Sequence, residues 1–177
     1  MDNFKNSPHP QLSDAEERAK QHLVSVGLYG RSVSIISNAF RLTSIIKNYS
    51  EKQVFKEFNL SFSGFTVMWV IWVWGDLETA KLAKNAGIAK STLTGILKTL
   101  EKHGYCKRIP HSSDARRVVV HITKAGEELM EKIFPKFHEI EDMAVSDLTS
   151  DEFEATIDSL RTMLSTMEKF VYRNKSK

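Results

Sequence analysis

The sequence predicts a mainly α-helical chain carrying one small β-hairpin. Three observations support this reading. Apolar residues recur at three- and four-residue spacing along most of the 177 residues. Residues 105–122 break that rhythm and alternate instead, around the polar turn Ser112-Ser113-Asp114. Finally, Ser, Thr and Gly stand where the periodic segments should start and stop.

The elements follow in order. Residues 1–12 hold two prolines and little pattern, which predicts a frayed tail. Ser13 followed by Asp14, Glu16 and Glu17 is a helix start, and a short helix should run to about Val26, where Gly27 and Gly30 break it. A long helix is expected over 31–58, with Ile35, Ala39, Leu42, Ile46 and Tyr49 as its apolar stripe. Ser61 or Ser63 can cap the next helix, over 63–74, which is apolar nearly all round and must be covered on several sides. Gly75-Asp76 ends it.

Two short helices come next, over 79–86 and 90–103, with Gly87 between them and Gly104 as the closing cap. Leu93, Ile96, Leu97 and Leu100 form the inner face of the second. Strands over 105–110 and 117–122 make the hairpin, with Val118, Val120 and Ile122 on its packed face. Thr123 can cap a helix over 124–146, which Pro135 should kink. Thr149 opens a last helix to about Tyr172, striped by Phe153, Ile157, Leu160, Leu164 and Met167.

Composition excludes several functions. Cys106 is the only cysteine, so an internal disulfide and a paired-thiolate metal site are both out, and a reducing cytoplasm suits the chain. Cys106 itself reads as a small buried hydrophobe. The first thirty residues lack the basic start and apolar run of a signal peptide. The longest greasy stretch, 65–74, is about half of what a bilayer span needs. A soluble cytoplasmic protein with no membrane partner is the expectation. None of the six histidines pairs with another at helical spacing; His138 with Glu139, Glu141 and Asp142 reads as a solvated acidic face, so no metal is expected. There is no nucleotide-binding glycine loop, no HExxH and no recognisable Ser/His/Asp arrangement. Neither catalytic residues nor a cofactor are therefore expected.

Charge is distributed unevenly. The whole chain is +3, but residues 80–124 hold ten Lys and Arg against two acids, a local +8, while the remainder, with 15 basic and 20 acidic residues, is −5. A basic segment of that strength is an electrostatic footprint for phosphates. It coincides with Ala83, Gly87, Leu93 and Ile96, spaced four, six and three residues apart. A small residue where two helices touch, a flexible one at the turn and two apolar anchors on the second helix are what a helix-turn-helix requires. With the hairpin behind it, this is a winged helix-turn-helix core, and the long flanking helices read as N- and C-terminal dimerisation helices. The division is a tail and dimerisation helices over 1–60, the DNA-binding domain over 61–123, and C-terminal dimerisation helices over 124–177.

Anchoring Leu93 and Ile96 inward leaves Lys90, Ser91, Thr92, Thr94, Gly95 and Lys98 facing out. Hydroxyls and free N–H groups at a helix start suit phosphates and base edges. Arg116 at the wing suits a narrow, negative minor groove, and Arg117 beside it is a further candidate for DNA contact. Asp114 can shape the wing tip as an Asx-turn. A winged domain that binds protein in place of DNA is the competing reading, and the basic charge separates the two.

The run Asp114-x-Arg116…Ile122-Thr123-x-x-Gly126, preceded by Leu100 to Tyr105, Lys107-Arg108 and Pro110, resembles the wing signature of the MarR family of bacterial transcriptional regulators. The order of elements over roughly 31–172 agrees. The resemblance implies a homodimer on a pseudo-palindromic double-stranded DNA operator, usually a repressor, released by a small aromatic or phenolic effector. It also implies that Arg116 enters the minor groove with Asp114 orienting it, and that Ser91, Thr92 and Thr94 read bases or grip phosphates. Many relatives carry arginine where this chain has Gly95. An effector wall of Phe65, Trp69 and Trp72, with Arg41 for a carboxylate, is the matching expectation, beside the plainer one that the aromatics are core.

Overall fold

A computed structural model describes residues 14–28, 30–111 and 114–175. The tail over 1–12, the Ser13 start signal, the turn residues Ser112 and Ser113, and the side chains of Asp114 and Arg116 lie outside what it describes. The chain divides into two compact units, Met1–Lys47 and Asn48–Lys177.

The first unit contains α1 (Asp14–Ser25) and most of α2 (Arg31–Ser50). Gly27 closes α1 at φ +72, so that its own N–H reaches the Val24 carbonyl and the Leu28 N–H reaches Leu23. A residue with a β-carbon adopts that left-handed turn poorly. Asn38 of α2 donates to Glu16 of α1 at 3.0 Å. The predicted stripe of α2 is present but open: Ile35 is 54 % exposed and Leu42 51 %, and Phe40 beside them reaches 71 %.

The helix predicted over 31–58 is not uniform. After α2 the chain passes through a π-helical turn, Glu51–Phe55, and a 3₁₀ turn, Lys56–Phe58, before Asn59 ends it at φ 51. The Lys56 N–H reaches back five residues to the Glu51 carbonyl. The extra residue in that turn shifts the inward face by one position. Val54 and Phe55 are thereby buried, as is Ser50 one wide turn earlier.

α3 (Phe62–Trp74) is the centre of the second unit, packing against the π-helical turn before it, against the helices that follow it and against the sheet. Ser61 caps it, accepting from the Gly64 N–H at 3.1 Å. Phe65, Val67, Met68, Val70 and Ile71 are buried. Phe65 stacks on Phe55 and meets Phe137, each at 4.6 Å between centroids, and Phe62 closes the cluster. Each such side chain contributes roughly 1.5–3 kcal/mol by leaving water.

α4 (Thr79–Asn85), α5 (Lys90–Lys102), β2 (Cys106–His111) and β3 (Asp114–Ile122) follow the predicted order. The sheet has one strand more than the sequence suggested: β1 (Leu77–Glu78) pairs with β3, giving the antiparallel order β1-β3-β2. Two residues are too few to show alternation, so this strand has no sequence signal. It also changes the packing of β3. Val118 lies past the end of β1 and is 46 % exposed, whereas Val119, paired with Glu78, is buried. Val120 and Ile122 pack inward as expected.

α6 (Lys124–Val145) begins at Thr123, which accepts from the Gly126 N–H at 3.1 Å, and runs on through Pro135. α7 (Ser150–Lys175) begins with a reciprocal cap: Thr149 N–H donates to Glu152 at 2.9 Å, and Glu152 N–H donates back to the Thr149 hydroxyl. Along α7, Phe153, Leu160, Leu164, Met167 and Phe170 are exposed.

Candidate nucleic-acid interface

Ala83 and Leu82 are buried where α4 meets α5. Gly87, at φ +65, makes the turn: its N–H reaches the Lys84 carbonyl and the Ile88 N–H reaches Ala83. Leu93, Leu97 and Leu100 anchor α5, each about 1 % exposed. Ile96, predicted among them, is only partly covered, because it sits at the edge of the inner face. The opposite face presents Lys90, Ser91, Thr92, Thr94 and Lys98 to solvent together. The Thr94 hydroxyl donates to the Lys90 carbonyl at 3.1 Å, which leaves its oxygen lone pairs to accept.

Ala89 stands at the start of α5 with no side-chain cap, whereas α3, α6 and α7 begin at Ser61, Thr123 and Thr149, whose hydroxyls accept from their helices. The first N–H groups of α5 therefore stay available to an external acceptor, at the positive end of its dipole.

The junction of α5 with the wing is tightly specified. Gly104, at φ +75, ends the helix; its N–H reaches Glu101 and the Tyr105 N–H reaches Leu100. Thr123 then ties three elements together. Its N–H donates to Tyr105 at 3.0 Å, its hydroxyl donates to the Gly104 carbonyl at 2.5 Å, and the same oxygen caps α6. A β-carbon on Gly126 would overlap the Tyr105 carbonyl oxygen and crowd Ile122 and Met68. The Thr123-x-x-Gly126 element of the wing signature is thus the joint between recognition helix, wing and α6.

The backbones of Asp114 and Arg116 lie in β3, where Asp114 is opposite His111. Arg117 does not stand free. Its guanidinium pairs with Glu78 of β1, while His121 pairs with Asp76 at 2.8 Å and Arg108 with Glu101 at 3.4 Å. Sequence reasoning missed Asp76 and Glu78, since no local pattern signals an ion pair across 39 or 45 residues. With Lys81, His111 and Val119 they line a cleft of about 230 Å³ at the root of the wing.

The expected effector residues fall in different surroundings. Phe65 belongs to the phenylalanine core. Trp69 meets Trp74 edge-on at 5.1 Å, and Trp72 meets Phe134 at 5.5 Å; both indoles are partly exposed. Arg41 is exposed on α2. His138 stacks on Phe134 and pairs with Glu141 and Asp142 on the surface of α6. Cys106 is buried, and desolvation, reinforced by Glu101 and only partly opposed by Arg108, pushes its thiol up to about 12. Among the described residues no helix is long and apolar enough to cross a membrane.

An exposed polar and basic helix, held beside a β-wing by a glycine-tight joint, defines a winged helix-turn-helix DNA-binding protein. Comparison with known proteins agrees. Residues 60–118 match the model of the MarR family. YwaE of Bacillus subtilis, described as an uncharacterized HTH-type transcriptional regulator, is 32% identical over 162 residues, spanning 90% of this chain and 95% of that one. The fold is shared with Staphylococcus aureus MepR, solved as a DNA complex (TM-score 0.68, 21% identity, 78% of this chain and 99% of that one). It is shared also with Bordetella bronchiseptica BpsR, described by the regulation of its DNA binding by 6-hydroxynicotinic acid (TM-score 0.66, 20% identity, 73% and 98%). The chain belongs to the MarR family. It is a DNA-binding transcriptional regulator and not an enzyme.

Proposed function

We propose that this chain acts in the cytoplasm as a homodimeric repressor on a pseudo-palindromic operator. The observation that carries the reading is the outward face of α5, where Lys90, Ser91, Thr92, Thr94 and Lys98 are exposed beside an uncapped helix start. Their hydroxyls and the free N–H groups serve phosphates and base edges, and the lysines supply charge. Arg116, with Asp114 shaping the tip, serves the minor groove. Residues 61–123 form the DNA-binding domain in this reading.

Dimerisation is supported by the open apolar rows on α2 and on α7, where Phe40, Leu164 and Phe170 are 71%, 65% and 61% exposed. Residues 1–60 and 124–177 supply the dimer in this reading, and two-fold symmetry suits paired half-sites. An aromatic effector is supported by Trp69 and Trp72, whose indoles are partly exposed, and by the effector in the description of BpsR.

The experiment is a gel shift of the full-length protein on DNA upstream of its own gene, with mass measured by light scattering. A retarded band whose protein component is a dimer supports the reading. A monomer, or a promoter fragment that binds no better than unrelated DNA, contradicts it.

A further inference from the structure

The wing root carries an acid that the DNA-binding reading does not use. Glu78 occupies the N-cap position of α4, and its side chain makes no bond to the helix N–H groups. Its carboxylate goes instead across the sheet to Arg117. The register explains the reach: Glu78 is opposite Val119, and Arg117 lies two residues further along β3 on the same face. Asp76, just before β1, pairs with His121 of β3 at 2.8 Å. Two carboxylates, one on β1 and one just before it, thus pair with β3, and the Arg117 guanidinium is already partnered.

We infer that Glu78 is a restraining residue for DNA binding, withholding Arg117 from the phosphate backbone and setting the affinity below what the basic segment could deliver. The inference rests on the DNA-binding reading of α5 and the wing. The physical case is one of competition. A duplex draws arginine by releasing condensed counterions, and a guanidinium neutralised by a neighbouring carboxylate releases none. The Arg117–Glu78 pair is partly open to water, with side-chain exposures of 52% and 36%, so the restraint it exerts is modest and removable by a single charge change. Glu78→Gln keeps the shape and removes only that charge.

The test uses the full-length protein and a labelled duplex of mixed sequence, titrated across a salt series by fluorescence anisotropy. Glu78→Gln is expected to tighten binding about five- to tenfold near 0.1 M salt and to steepen the log–log salt slope by about one. The double variant Glu78→Gln, Arg117→Gln is expected to lose both gains. Unchanged or weaker binding by Glu78→Gln, in a protein whose wild type binds the duplex, overturns the inference alone. A gain that survives in the double variant also overturns it, because simple removal of a repulsive charge would then account for the effect. A wild type that binds no duplex at all removes the DNA-binding premise, and the inference with it.

Discussion

Gly126 lies so close to the carbonyl oxygen of Tyr105 that a β-carbon there would overlap it, with the Ile122 and Met68 side chains at 2.8 and 2.9 Å. Backbone cannot yield as a flexible side chain does. Gly126→Ala is therefore expected to destabilise the fold by about 1–3 kcal/mol through overpacking. Gly95 is the contrast, since a β-carbon there meets nothing within 4 Å. Gly95→Ala is expected to stabilise by about 0.5–1 kcal/mol, as for any exposed helical glycine. Urea unfolding of the two variants should move the midpoints in opposite directions.

Open space at Gly95 also means that a side chain can leave the outward face of α5 there without meeting its surroundings at the β-carbon. Gly95→Arg is expected to tighten DNA binding and steepen the salt slope by about one, as one added phosphate contact should. Anisotropy titrations of the variant and the parent across a salt series will measure it.

The Thr123 hydroxyl both donates to Gly104 and caps α6. Thr123→Val keeps the volume and removes both bonds. A loss of about 1–2 kcal/mol is expected from the cap. DNA affinity should fall as well, because the wing is no longer locked to the exit of α5. Equal affinity in a folded variant would detach the joint from the binding mechanism.

Much of this framework was legible in the sequence, because caps are local. Ser61, Gly87, Gly104, Thr123 and Thr149 mark helix ends within a few residues, and each stands at one. What the sequence hid was non-local or too short. β1 is two residues long, and the π-turn at Glu51–Phe55 leaves the apolar spacing looking helical. Arg117 reads as one more basic residue until Glu78, 39 positions away, is folded against it. Val119 is buried through that same unsignalled strand.

Cys106 should be inert in the native protein. Burial raises its thiol from 9.0 to about 12, so folding favours the neutral form. That contribution to stability is complete below about pH 9 and is lost as pH rises through about 12. Unfolding midpoints of the wild type should therefore fall more between about pH 8 and about pH 10 than those of Cys106→Ala. Native protein should also resist iodoacetamide until denaturant is added.

The central claim is that α5 and the wing grip duplex DNA through charge and exposed hydroxyls. Its most direct test is anisotropy of a labelled promoter duplex with wild type and Arg116→Ala, from about 50 to about 200 mM salt. Binding that weakens steeply along a straight log–log line, with Arg116→Ala costing about 1–3 kcal/mol, is the predicted result. No binding at the lowest salt, or a flat titration that Arg116→Ala leaves unmoved, would contradict it.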